Sequence, residues 1–249
     1  MSYLFLSLLL LLAVFASSPK VKGKIGEGKV RYFLGKLDPE RYVVVHDLLL
    51  HARDGRTTQI DHVVIGEAGI FVIETKNYRG WIFGSEHNNK WTQVLNRRKS
   101  FFQNPLHQNY GHIKAIEQII GSSSIQPAYY SIIAFDPKAT IKKMEVTSPH
   151  AIVTYSNQVV KEIERQEGGN LTAFQIKGIT QLLQKRNIVE KGAGKEHIKR
   201  VRSDQQEKKM KVKAGICPKC GNPLVTRIRK DGKGSFKGCS SFPQCRFIA

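Results

Sequence analysis

A mixed α/β domain, with the α+β arrangement as its near variant, is what the sequence predicts for roughly residues 22–188. Three observations predict it. Short apolar runs of strand length alternate with longer segments of helical periodicity. The order of these segments is helix, three strands, helix, strand, strand, helices, which suits helices packed on a sheet. No internal repeat is visible, and 249 residues suffice for one domain with a real core and a small second one.

The elements follow in order. Residues 24–37 (KIGEGKVRYFLGKL) place Val30, Phe33, Leu34 and Leu37 on one side of a helix. Residues 42–50 (YVVVHDLLL) form a strand, and 51–58 a polar turn. IDHVVI and IFVIETK are two strands joined at Gly66-Glu67-Ala68-Gly69, a hairpin. Residues 81–95 supply further strand and loop, with Trp81 and Trp91 packing. In 104–120, Asn104 serves as N-cap and Pro105 opens a helix that Gly111 weakens without breaking. YYSIIAF (129–135) and AIVTY (151–155) are core strands. Helices follow near 157–167 and 173–187, the second with a Thr172/Gln175 capping box. Residues 190–214 are polar, basic and poor in large apolar side chains, and are expected to be a linker with some helix.

The N-terminus is of another kind. Residues 3–16 (YLFLSLLLLLAVFA) are almost wholly apolar. Their length fits a signal peptide with a cleavage site at Val14-Phe15-Ala16, but no positive residue precedes them. Lys20, Lys22 and Lys24 follow instead, which places the rest of the chain on the cytoplasmic side of a retained single-pass anchor, residues 1–19. The expected location is a bacterial inner membrane, with the folded parts facing the cytoplasm.

All four cysteines lie near the C-terminus, as CPKC (217–220) and CSSFPQC (239–245), with 18 residues between the pairs. Thiolates at such spacings suit one tetrahedral structural zinc held by Cys217, Cys220, Cys239 and Cys245. Two disulfides are the alternative. Gly221 stands where the turn after the first pair needs a positive φ. Leu224–Ile228 is expected to be one strand of a hairpin that turns near Gly232–Gly234. A piece this small has no sufficient core, so the metal supplies its folding energy. Thiolate ligands agree with a reducing compartment.

The formal net charge is +20, and residues 191–249 carry 16 Lys/Arg against 4 Asp/Glu. Such a tail suits a polyanion or an anionic membrane surface, or is simply a solvated face. Arg227, Arg229, Lys230, Lys233, Lys237 and Arg246 are candidate phosphate contacts. Phe236 and Phe242 either stack on unpaired bases or fill the core around the zinc. Nothing among them forms a base-reading code, so binding should be salt-sensitive and sequence-tolerant.

The hairpin carries the chemistry. Closed around 66–69, it sets Ile65 against Ile70 and, further along, Asp61 against Glu74, with Lys76 on the face of Glu74. Two carboxylates this close repel unless a cation lies between them. Asp61 and Glu74 could hold Mg²⁺ or Mn²⁺, which takes oxygen ligands. Lys76 could orient a water or offset charge on a phosphate in phosphodiester hydrolysis. From spacing alone, an acidic strand end paired with lysines for solubility stands equally.

Gly26-Glu27, QIDHVVIGEAGIFVIETKNYRG (59–80), Trp91 and NPLHQ (104–108) resemble the NERD (nuclease-related domain) family. FKGCSSFPQCR resembles the C-terminal zinc ribbons of bacterial type I DNA topoisomerases, and this pairing of domains is known within the NERD family. The two resemblances cover about 20–120 and 215–249. They imply a restriction-endonuclease-like PD-(D/E)xK core with Asp61 as the motif aspartate, Glu74 and Lys76 as the ExK pair and Glu27 as the early helix glutamate. Gln108 and His112 fall where RecB-type nucleases carry glutamine and tyrosine, histidine being the departure. The implied domains are 20–125 (nuclease-like core), 126–189 (its C-terminal part), 190–214 (basic linker) and 215–249 (zinc ribbon).

His62 is expected to point away from Asp61 into the core, and His46 to be structural. His107 has no assigned role, and Glu86 is a distant candidate for a third carboxylate. The expected function is a membrane-anchored, Mg²⁺- or Mn²⁺-dependent nuclease acting on DNA, single-stranded DNA included, or on RNA. The alternatives are a nucleic-acid binder on a silent nuclease fold and a basic membrane-surface scaffold.

Overall fold

A computed structural model describes residues 19–52, 55–121, 125–169, 171–189, 193–229 and 234–249. The chain divides between Val189 and Glu190 into two compact units.

The first unit opens with helix α1 (Pro19–Leu34), followed by strands β1 (Tyr42–His51), β2 (Thr57–Gly66) and β3 (Gly69–Lys76). Next come β4 (Gly80–Ser85), β5 (Lys90–Leu95), β6 (Arg98–Gln103) and helix α2 (Pro105–Ile120). The unit closes with β7 (Tyr129–Phe135), β8 (Ala139–Glu145), β9 (Ala151–Tyr155), α3 (Val159–Glu164) and α4 (Ala173–Arg186). The main sheet has the order β1-β2-β3-β7-β9, antiparallel on the β1 side and parallel from β3 to β9. A second sheet has the order β6-β5-β4-β8.

Period-two alternation builds the two faces of the main sheet. Val64, Phe71 and Ile73 pack with Val30 and Leu34 of α1 and Val159 and Ile163 of α3. Val63, Ile65, Ile70 and Val72 pack the other way, with Ile116 of α2 and Ile179 and Leu183 of α4. The hairpin closes at Gly69, whose φ of +142° favours glycine and whose missing side chain leaves room for the Ala128 carbonyl that accepts from Ile70 N–H at 2.9 Å.

The alternation breaks at one place in each of β1 and β2. Val45 and Leu48 face the same layer although three residues apart, and so do Ile60 and Val63. Asp47, with φ +55°, sits in the first break and Asp61 in the second. This local irregularity turns polar residues out of an otherwise apolar pair of strands.

The capping predictions hold in detail. Asn104 Oδ1 accepts from Leu106 N–H at 2.9 Å, and Thr172 with Gln175 forms the full capping box. Three expectations of secondary structure change in this unit, and Trp81, expected to pack, is exposed while Trp91 is buried. The 81–95 region extends into a third strand, β6, and β8 was not expected at all. β8 reads ATIKKME, an edge strand with charged residues on its open face, so its sequence lacks an apolar run. The helix expected at 157–167 is a 3₁₀ turn, Ser156–Gln158, followed by the six-residue α3.

The second unit contains helix α5 (Ala193–Lys213) and the hairpin β10 (Leu224–Ile228)/β11 (Ser235–Cys239). The stretch expected as a linker is thus one helix of 21 residues. Its Lys, Arg, Gln and Glu are good helix formers, and Glu207–Lys211 adds an i,i+4 ion pair at 2.6 Å. Among the described residues no helix is long and apolar enough to cross a membrane. The anchor expected over 1–19 falls almost wholly outside those residues, as do Lys230 and Lys233.

Candidate active site and zinc centre

The β2–β3 ladder runs from Gly66↔Gly69 to His62↔Ile73 and stops there. β2 continues its pairing with β1, while β3 stays paired with β7 as far as Lys76. The two strands therefore part where Asp61 and Glu74 stand, and the expected Asp61/Glu74 rung does not form. Asp61 turns into the gap, and its Oδ2 accepts from Thr75 N–H at 2.9 Å.

Glu74 is only 4% exposed, and both its oxygens are engaged. Lys76 Nζ donates to Oε1 at 2.6 Å and also to Gln108 Oε1 at 3.1 Å. His112 Nε2 lies 3.3 Å from Oε2, and its Nδ1 lies 2.8 Å from Thr58 Oγ1. Gln108 and His112, one turn apart on α2, thus look into the same site from above the sheet. The N-terminus of α2 is fixed by Asn104, whose Nδ2 donates to the carbonyls of Ser85, Glu86 and Asn88 at 3.1, 3.2 and 2.7 Å. Its middle is fixed by buried Asn109, which donates to Val72 O at 2.7 Å and Ser131 Oγ at 2.9 Å.

Glu27 comes from α1. That helix reaches the end of β3 because Gly26 has no side chain: a Cβ there would lie 2.9 Å from Asn77 Cβ. Asn77 Nδ2 in turn donates to Lys22 O at 2.5 Å.

The electrostatics divide the acids. Burial pushes the Asp61 carboxyl well above its ordinary range, and the charges of Glu74 and Glu27 add to that against the Thr75 N–H. Burial also works against Glu74, but Lys76 and His112 outweigh it and hold this carboxyl below the usual range. Lys76 is raised, because Glu74 outweighs burial. Burial raises Glu27 too, helped by Asp47 and Glu74. Glu74 therefore carries the charge, and Asp61 is the group driven toward its proton.

The remaining residues sort plainly. His62 is buried and faces His46, with Nδ1 atoms 2.8 Å apart, as a structural pair. Burial and His46 bring His62 down to about 3. Glu86 accepts from Thr147 and Ser148 backbone N–H, both at 3.1 Å, so it braces a loop. His107 Nε2 contacts Glu86 O at 2.9 Å. Sequence reasoning missed Asp47, which pairs with Arg31, and Thr58 behind His112. A lone acid inside YVVVHDLLL was a signal for Asp47; nothing in the sequence marked Thr58.

In the second unit the four Sγ atoms lie within 4.8 Å of one another, one cluster rather than two separate pairs. All four cysteines are free of disulfides. Burial raises the Cys217 thiol, but N–H groups of Lys219 and Cys220 outweigh it and bring it to about 7. Gly221 has the expected positive φ, +80°. Leu224 and Phe247 pack on the cysteines, leaving Phe236 half-buried and Phe242 59% exposed beneath Arg227, 5.6 Å from its ring. Arg229, Lys237 and Arg246 are exposed. Among the described residues this is the one group of three or more Cys, His, Asp or Glu gathered so closely. Glu27, Asp61 and Glu74 are not so gathered.

A buried acid–lysine cluster where two strands part, joined in one chain to a four-thiolate ribbon, defines a two-unit α/β protein with a structural zinc module. The family model for the nuclease-related domain (NERD) matches residues 22–136, and that for the topoisomerase DNA binding C4 zinc finger matches 214–249. An uncharacterized protein of Bacillus anthracis is 47% identical over 181 residues, 73% of this chain and 84% of that protein. The chain belongs to the NERD family. DNA topoisomerase 1 of Mycoplasma genitalium is 55% identical over 31 residues, 12% of this chain and 4% of that protein. No solved structure matches. The first domain is nuclease-related, and the ribbon is of a DNA-binding kind.

Proposed function

We propose that this protein is a membrane-anchored nuclease of the PD-(D/E)xK kind that hydrolyses DNA phosphodiester bonds with a divalent cation, its zinc ribbon capturing the DNA. One observation carries the reading. Burial and the charge of Glu74 hold the Asp61 and Glu27 carboxyls above their ordinary range beside a Glu74 that stays ionised, an arrangement with no structural need and one that a cation would relieve. The donor chemistry fits Mg²⁺ or Mn²⁺, with Asp61 and Glu74 as the holding residues. Such a cation polarises the phosphate and lowers the pKa of a bound water.

The protein's own groups do the rest. Lys76, steered by Gln108, is placed to orient a water or to offset charge gathering on the phosphate oxygens. His112, backed by Thr58, fixes the rotamer of Glu74. Glu27 adds negative charge at the edge of the gap. The anchor rests on the apolar run 3–16 and the lysines after it, and puts both units on the cytoplasmic side of a bacterial inner membrane.

A second reading, a nucleic-acid binder with a silent site, is favoured by a different observation. Both Glu74 oxygens are engaged by Lys76 and His112, and the three acids do not gather within 4.8 Å as ligands do. The deciding experiment is cleavage of labelled single- and double-stranded DNA and RNA by the full chain with Mg²⁺, with Mn²⁺ and with neither. Metal-dependent cutting that disappears in Glu74→Gln and Lys76→Gln, both still binding DNA, supports hydrolysis. No cutting with binding intact moves the weight to the silent site.

A further inference from the structure

The second sheet has a core face and an open face. Ile82, Trp91, Phe102 and Ile141 pack inward. The strand registers set Trp81 beside Val94 and Lys99, and Phe83 beside Thr92 and Phe101, on the other face. Lys143 pairs with Phe83 from β8, extending the second row. Trp81 is 49% and Phe101 62% exposed. Lys142 lies over the Trp81 ring at 5.1 Å and Lys99 over the Phe101 ring at 5.5 Å. The four strands of this sheet hold 5 Lys/Arg against 1 Asp/Glu.

Exposed rings on a sheet are usually a liability that charge must offset. Here the lysines come from the two edge strands, and two of them, Lys99 of β6 and Lys142 of β8, lie over the rings themselves, while Lys143 is paired with Glu145 at 2.8 Å. That pattern matches a ligand that is itself apolar and flat on one side and anionic on the other. We infer that the open face of β6-β5-β4-β8 binds single-stranded nucleic acid, the bases stacking on Trp81 and Phe101 and the phosphates meeting Lys99 and Lys142, which lie over those rings. A duplex buries its base faces and cannot use the rings, so the surface selects an unpaired strand. β4 begins four residues beyond Lys76, so a strand on this face belongs to the same unit as the acidic site. The inference deepens the nuclease reading by naming its substrate form, yet the binding stands without hydrolysis.

The protein carries its own reporter. Of its two tryptophans, Trp91 is fully buried and Trp81 is open. The full chain, without added divalent cation, is titrated with oligo(dT) while tryptophan emission is followed. Saturable quenching is expected. Trp81→Ala should abolish it and weaken binding roughly tenfold, and Phe101→Ala should weaken binding about as much while keeping the quench. Arg229→Ala, in the ribbon, should keep the quench amplitude. Both substituted rings are exposed, so thermal melting should not change.

Oligonucleotide binding without quenching, equal quenching by a hairpin duplex, or unchanged affinity in Trp81→Ala/Phe101→Ala would overturn the inference. A double variant that instead changes sedimentation or loses binding to anionic vesicles, with oligo(dT) binding intact, would also overturn it. Quenching without metal-dependent cleavage would keep this surface and remove the hydrolytic reading; cleavage without quenching would do the reverse.

Discussion

The two candidate metal-binding regions of this chain are built in opposite ways. In the ribbon, the ligands are the fold: three of the four cysteines are its buried core, with only Leu224 and Phe247 packed against them. In the body, two large apolar clusters stand on either face of the main sheet, and the acidic cluster is an exception tolerated inside them. A site that holds its own fold together is confined to a short stretch of chain. A site resting on a fold that already stands can draw its residues from α1, β2, β3 and α2.

The sharpest way to break that contrast is to remove metal. Cys239→Ser, or a zinc chelator, should unfold residues 215–249, because structural zinc contributes on the order of 10 kcal/mol at neutral pH. Amide NMR signals of the ribbon should collapse while those of the main sheet persist. A ribbon that stays dispersed without zinc would refute the claim that its ligands are its core. The body should instead be sensitive to charge. Lys76→Ala leaves buried Glu74 without its cation and should cost about 3–5 kcal/mol in denaturant melts. Glu74→Gln with Lys76→Met should recover much of that loss, since the pair is then removed together.

This contrast also explains what could be read in advance. The cysteine spacing alone showed the ribbon, because its ligands are near neighbours in sequence. The hairpin register from Ile65/Ile70 was legible too, because apolar alternation fixes it. The end of the ladder was not. Continuing the rungs set Asp61 against Glu74, whereas the backbone irregularity at Asp47 and Asp61 turns Asp61 onto Thr75 N–H. Similarly, β8 was hidden because a charged edge strand carries no apolar run. Thr58 was hidden because its role depends on a helix 54 residues away.

A pH titration sharpens the comparison further. The His62 imidazole is lowered to about 3 by burial and by His46. Between that value and the ordinary 6.5, the unfolded chain binds a proton that the folded body refuses. Stability is therefore complete above 6.5 and falls below it, by up to about 1.4 kcal/mol per pH unit. His62→Phe should flatten this dependence in urea melts of the body. Asp61→Asn tests the other sign. The raised Asp61 carboxyl opposes folding once pH rises above its ordinary range, so the variant should melt higher than the parent at neutral pH without divalent cation. Asparagine Oδ1 can still accept from Thr75 N–H. A lower melting temperature would mean that the carboxylate is not under repulsion.

The smallest effects belong to the ribbon surface. Arg229, Lys237 and Arg246 are exposed, and alanine at any one should change stability by less than about 0.5 kcal/mol. Each should weaken DNA binding a few-fold and lower the slope of log K against log salt by about 0.7–0.9, one phosphate contact per residue. Arg227 should behave differently. Its guanidinium lies over Phe242 and donates to Cys239 O at 3.2 Å, so it braces the zinc knuckle as well as facing solvent. Arg227→Ala should therefore lower zinc affinity together with DNA affinity. If all four variants shift the salt slope equally and leave zinc binding alone, Arg227 is a phosphate contact like the others. The ribbon's polar shell is then independent of its metal core.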